Sequence, residues 1–240
     1  MVGTEDADGT VTPAAGAGAL ERAGSGQQQG AMSGMAADLV ERLLDTGIDG
    51  RGRFDSAQKV ADSALSTAAD AESAIDAVVR SHLVKGAAGG FLTGLGGFVT
   101  LPVALPANVV GFYLVATRMV AATAQLRGYD IRQPQIRTAV LLTLVGADAD
   151  DLLKKAGVAA PAGRLVNLAA ARLPGPLLMV VNKAIGFRLL LQVGRSGVAT
   201  FGKAVPFVGG AVGAGVDAYM LKKIADSARR EFPRRVTPAR

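Results

Sequence analysis

Apolar residues recur along most of this chain at intervals of three and four, the spacing that lays them on one face of an α-helix. Met35, Leu39 and Leu43, with Val40 and Leu44 beside them, form such a stripe in a helix that opens near Ser33 and stops at Gly47. Gly50, Arg51, Gly52 and Arg53 read as a linker. A second helix is predicted from Asp55 to about Leu83, its stripe running through Val60, Ala64, Ala68, Ile75, Val78 and His82. That stripe is mostly alanine, so it packs flat. No run shows the period-two alternation between turns that marks paired strands.

The pattern changes after Lys85. From Gly86 to Thr117 no residue carries a charge, a run longer than the roughly 18 apolar residues that flag a membrane-spanning candidate. Gly86, Gly90 and Gly94 fall four apart, and Pro102 and Pro106 interrupt the middle. A proline inside a helix costs about 3 kcal/mol, so the two mark a turn. Two apolar helices over 85–97 and 107–127, hinged at Thr100–Pro106, are therefore expected. The first arm is too short to span a bilayer comfortably, and such a hairpin either dips into one leaflet or buries itself in the fold.

Later helices are punctuated by proline and glycine. Pro134 opens one that Gly146 ends, and Asp148 caps a short one ending at Lys154 and Lys155. Pro161 starts another that stops before Pro174; Leu177 to about Thr200 forms the next; Pro206 opens the last, which Pro233 stops near Phe232. Residues 1–32, rich in Gly, Ala, Gln and Ser, are expected to be disordered. The chain thus divides into a tail (1–32), a short helix with a linker (33–54), a helical domain (55–232) and a basic tail (233–240). The expected fold is all-α: a glycine-rich helical bundle with an apolar helical hairpin.

Composition narrows the chemistry. There is no cysteine and a single histidine, His82, which removes disulfides, thiol nucleophiles and multi-histidine metal centres. No G-x-x-x-x-G-K-[ST] loop and no G-x-S-x-G elbow is present. The G-x-G-x-x-A string at Gly213, Gly215 and Ala218 lacks the strand and the following βαβ unit that dinucleotide binding needs, and reads as helix packing. His82 lies on an apolar stripe and reads as a core or helix-edge histidine rather than a general base. No cofactor, metal site or catalytic residue is expected.

Hydropathy and charge point toward lipid. Mean hydropathy is +0.31 with Gly 31 and Trp 0, high for a soluble protein and poor in interfacial aromatics. The net charge of +6 is uneven. Residues 1–60 hold five basic against nine acidic residues, whereas Lys222 to Arg240 hold seven basic and two acidic. A basic cluster directly after an apolar helix suits an anionic lipid surface, and equally a solvated helix end with a frayed tail. Nucleic acid is not expected, because no helix-turn-helix, zinc or aromatic-interleaved basic pattern accompanies it. The acidic N-terminus carries no secretory signal, so a cytoplasmic address is expected, peripheral to an inner membrane.

Several stretches resemble the EcsC family. They are AIDAVVRSHL (74–83), GFLTGLGG (90–97), TLPVALPANVVGFY (100–113), LRGYD (126–130) and PFVGGAVGAGVDAYMLKKIADSARREF (206–232). The resemblance covers roughly residues 55–232. It implies an all-α, membrane-associated bacterial protein, in a family whose namesake accompanies an ABC-type transporter and to which no reaction is firmly assigned. It supplies no catalytic residue.

The expected function is non-catalytic: binding lipid or the membrane surface through the glycine-rich apolar helices, with an acyl chain held in an internal cavity as a specific version. Phe91, Leu95, Phe98, Phe112 and Phe207 are the candidate apolar lining. Lys222, Lys223, Arg229, Arg230, Arg234 and Arg235 are the candidate head-group contacts. Asp217 shares a stripe with Gly209, Gly213, Met220 and Ile224 and should face packed helix, where an unpaired carboxylate is costly; Arg118, Lys183 and Arg188 are its candidate partners. The alternative function is an adaptor docking on an ABC-type transporter or secretion complex.

Overall fold

The structure is a computed structural model that describes residues 30–52, 54–95, 107–155, 174–199 and 206–235. Among these residues every regular element is a helix. We number them α1 (30–42, continuing as a π-turn over Leu43–Ile48), α2 (Ala57–Thr67), α3 (Ala71–Leu95), α4 (Ala107–Leu126), α5 (Pro134–Val145), α6 (Ala149–Lys155), α7 (Gly175–Ala199) and α8 (Pro206–Glu231). A single 3₁₀ turn, Gly146–Asp148, joins α5 to α6.

α4 and α5 form the centre. Along α4, Tyr113, Ala116, Met119, Val120 and Ala124 are buried, and Thr117 and Thr123 turn their hydroxyls back to the carbonyls of Tyr113 (2.7 Å) and Met119 (2.8 Å). Such i−4 bonds let a threonine enter an apolar core without an orphaned donor. α5 is buried almost all round, from Thr138 to Val145, as an apolar helix must be when its own protein encloses it. Pro134 at its first turn and Gly146 (φ 66°) after its last fix its length.

α3 and α8 share the most extensive helix pairing among the described residues. They run antiparallel: Asp76 pairs with Arg229 at one end, and Gly86 lies against Leu221 farther along. α4 is antiparallel to α3 as well, with Glu72 bonded to Arg127 and the Arg118 charge reaching His82.

The helix boundaries differ from the sequence reading in three places. α1 opens at residue 30, so that residues 30–32, expected to be disordered, are helical, and it runs through Gly47 to Ile48 instead of stopping at Gly47. The helix expected over 55–83 is two helices. Ser66 and Thr67 bond back to the carbonyls of Ser63 and Ala64, Ala68 turns extended, and the Asp70 carboxylate accepts from the Ser73 amide (2.7 Å) to start α3. α3 then continues through Gly86 to Leu95 instead of a new helix opening at Lys85. Gly86 is needed for close approach, since a Cβ there would run into Leu221. The second apolar arm, expected over 107–127, is α4. The hinge at Thr100–Pro106, the helix expected from Pro161 and residues 1–29 lie outside the described residues.

α1 is part of the core and not an appended segment. Ala36, Leu39, Leu43 and Ile48 are fully buried. Gly186 of α7 meets the Ala36 carbonyl, and Gly47 sits 2.9 Å, measured from its would-be Cβ, from Thr117. The start of the expected basic tail is likewise tied down, because the Arg235 amide donates to the Arg127 carbonyl (3.1 Å).

Candidate functional site

The two ends of the α3–α4–α8 layer differ sharply in chemistry. At one pole lie the start of α3 and the ends of α4 and α8. There Arg127, nearly buried, donates to the carbonyls of Arg229 (3.0 Å) and Phe232 (3.1 Å) and to Glu72 (2.8 Å). It fills acceptors that the end of a helix leaves open. Gly128 takes φ 84° to turn the chain, Tyr129 donates to the Pro233 carbonyl (3.0 Å) and stacks edge-on with buried Phe232, and Arg235 covers the Tyr129 ring at 4.2 Å. Asp130, bonded to Arg132, is held below the usual carboxylate range by that guanidinium. The LRGYD stretch is therefore a clasp on the C-terminus of α8.

The opposite pole holds the end of α3 and the starts of α4 and α8. Beyond Lys85 on α3, before Arg118 on α4 and before Asp217 on α8 there is no charged residue. Each uncharged arm is about 15 Å long at 1.5 Å of rise per residue. Exposed apolar side chains stand at its border: Val84 (70%), Val216, Tyr219 (69%) and Met220. No helix among the described residues is long and apolar enough to cross a membrane.

A second apolar surface lies on α7. Its inner side chains Leu178, Val181, Ile185 and Leu189 are buried, while Met179 (74%), Val180 and Leu191 on the other side are exposed. Val180 and Leu191, with Leu152 of α6 and with Lys183, Ala184, Phe187 and Arg188, line an open groove of about 350 Å³.

The expected charge pairing around Asp217 does not form. Arg188 bonds Asp148 instead (2.7 Å), which raises its own pKa. Arg118 donates to the Thr46 carbonyl (2.9 Å), in the last turn of α1 where carbonyls lack intrahelical partners, and lies over the Phe54 ring at 5.1 Å. Lys183 is exposed on the groove. Asp217 is half-buried, has no ion pair among the described residues, and is raised above the usual carboxylate range by burial.

The basic cluster on α8 is divided. Arg229 reaches Asp76 and Arg235 stacks on Tyr129, so both serve the clasp. Lys222 shares Asp226 (3.4 Å), and Arg230 donates to Ser227 (3.0 Å). Lys223 and Arg234 are exposed and make no ion pair among the described residues. Of the apolar lining, Phe112 is half-buried and edge-on to Tyr113. Phe91 and Leu95 lie on α3 and Phe207 on α8, but their side chains lie outside the described residues, as does Phe98 altogether.

His82 is 1% exposed. Its Nδ1–H donates to the Val78 carbonyl (2.8 Å), Nε2 has no partner among the described residues, and burial pushes its pKa down to about 4. A base so enclosed cannot meet a substrate. Among the described residues no three His, Asp or Glu side chains converge as a metal site.

The model of the EcsC protein family matches residues 38–236, most of the chain. The chain belongs to the EcsC protein family. No curated protein and no solved structure matches it. The match begins well before residue 55, where the resemblance read from individual motifs starts, and so takes in most of α1. That agrees with the burial of Leu39 and Leu43. Sequence reasoning missed two features of this EcsC-family chain: the clasp and the exposed band at Val84 and Tyr219. For the band a signal existed. Val216, Tyr219, Met220 and Lys223 follow helical spacing on their own, but Met220 also continues the stripe of Gly209 and Gly213 that was expected to pack, and the structure exposes it.

Proposed function

We propose that this EcsC-family chain is a non-catalytic, membrane-associated protein that binds lipid at a bilayer surface, from the cytoplasmic side of an inner membrane. The observation that carries the reading is the uncharged pole. No charged residue lies on α3 beyond Lys85, on α4 before Arg118 or on α8 before Asp217, and the cation nearest ahead of α8 in sequence is Lys203; the ion pairs of these helices, Glu72–Arg127 and Asp76–Arg229, lie at the other end. In water such a separation leaves exposed Val84, Val216 and Met220 uncompensated. Against lipid it places apolar surface in hydrocarbon and the clasp in solvent. The acyl-chain version of the reading moves from the bundle interior to the α7 groove, whose volume is at the low end of the range for small-ligand pockets.

Docking on an integral membrane protein, in the manner of a transporter adaptor, is the second reading. The exposed apolar side chains Met179, Val180 and Leu191 on α7 support it, as apolar surface that a protein partner would cover. Flotation of the purified full chain with protein-free liposomes separates the two. A lipid binder rises with the vesicles; an adaptor stays at the bottom of the gradient and is recovered with one membrane protein from detergent extracts. Sedimentation away from vesicles of every composition contradicts the lipid reading.

A further inference from the structure

The contact of Gly86 with Leu221 fixes a level on the α3–α8 pair. Within about one helical turn (~5.4 Å) of that level lie exposed Val84 and Lys85 on α3, and exposed Tyr219, Met220, Lys222 and Lys223 on α8. On one side of the level the helices are uncharged, through Gly86–Leu95 on α3 and, apart from Asp217, back to Pro206 on α8. On the other side run Asp76, Asp226, Arg229, Arg230 and the clasp. Lysine and tyrosine at the boundary between an apolar and a charged segment are the side chains that settle at a membrane–water interface. Their stems and ring lie against hydrocarbon while the ammonium and hydroxyl stay among head groups.

On the basis of the lipid reading, we infer that Val84, Lys85, Tyr219, Met220, Lys222 and Lys223 form the interfacial band by which this protein seats on an anionic bilayer. The uncharged pole enters a single leaflet. The occupant follows from charge and length. Lys85 and Lys223 make no ion pair among the described residues, and Lys222 has only the 3.4 Å contact with Asp226, so the band is net cationic and complements anionic head groups. The uncharged arms are about 15 Å deep, half of the roughly 30 Å hydrocarbon core. The described part of each arm has the length of one leaflet. The band thus sets depth and tilt, and selects for negative lipid.

Because the chain has no tryptophan, single substitutions give clean reporters. Tyr219→Trp, at a site 69% exposed, should shift its emission to the blue when phosphatidylcholine vesicles containing phosphatidylglycerol are added. Quenching by lipids brominated near the head group should be the strongest. Leu65→Trp, exposed on α2, should not shift. Lys85→Glu with Lys223→Glu should weaken partitioning onto these vesicles by at least about twenty-five-fold, the loss of two cations worth about a factor of five each at a lipid surface. Binding to neutral vesicles should change far less. If the chain floats with vesicles yet Met179→Trp on α7 shifts and Tyr219→Trp does not, the band is refuted while the lipid reading stands. If the chain does not float at all, both fall.

Discussion

His82 is the residue whose environment makes the most specific demand on the solution behaviour of this protein. Its imidazole is enclosed by α3 and its neighbours, hydrogen-bonded among the described residues at Nδ1 only, and faces the charges of Lys85 and Arg118. Burial is the main cause of its low pKa, about 4 against 6.5 in the unfolded chain, and the two cations add to it. Between those values the unfolded state binds the proton and the folded state does not, so stability is full above pH 6.5 and falls as the pH drops toward 4. The loss amounts to roughly 3 kcal/mol when complete. Urea unfolding should show a midpoint that declines across this window, and His82→Leu should flatten the decline. A wild-type midpoint constant from pH 6.5 to 4.5 would contradict the enclosure. The core reading of His82 was legible from its stripe with Ile75 and Val78. The partners of Arg118 and Arg188 were not. Arg118 uses a carbonyl in the last turn of α1, and Arg188 uses an aspartate on the far side of a helix connection. Periodicity carries no signal for either.

Helices were legible wherever proline or glycine marks an end, as in α5 between Pro134 and Gly146 and in α8 from Pro206. They were not legible where small residues leave the stripe ambiguous. The break between α2 and α3 depends on local side-chain bonds by Ser66, Thr67 and Asp70, which an alanine-rich period runs straight across. Nor are the glycines one class, although their spacing suggests a single packing theme. Gly186 lets α7 touch the α1 backbone at Ala36, whereas Gly215 on α8 has open space where a Cβ would go. Gly186→Ala must push a backbone apart and should lose about 1–3 kcal/mol. Gly215→Ala should gain about 0.5–1 kcal/mol from higher helix propensity and a less flexible unfolded chain. Denaturant titrations of the two variants check this, and equal effects would show that the glycine spacing itself, and not helix contact, governs stability.

At the scale of the molecule, the lack of charge from Gly86 to Thr117 was visible in sequence, but the partner it acquires in α8 was not. The sequence pattern placed an apolar hairpin and a basic terminal helix one after the other. Folding lays α8 antiparallel along α3, so that its uncharged first half lies at the same end as the uncharged parts of α3 and α4 while its arginines return to the clasp. The result, among the described residues, is a layer of α3, α4 and α8 polarised along its length, and the proposed seating on a membrane rests on that polarity. Hydrogen exchange of the full chain, with and without phosphatidylglycerol-containing vesicles, tests this most directly. Added protection should be confined to peptides covering 84–95, 107–117 and 206–223, leaving the clasp around 127–132 and 229–235 unchanged. Protection that appears instead over 175–191, or nowhere, would contradict a membrane-seated pole.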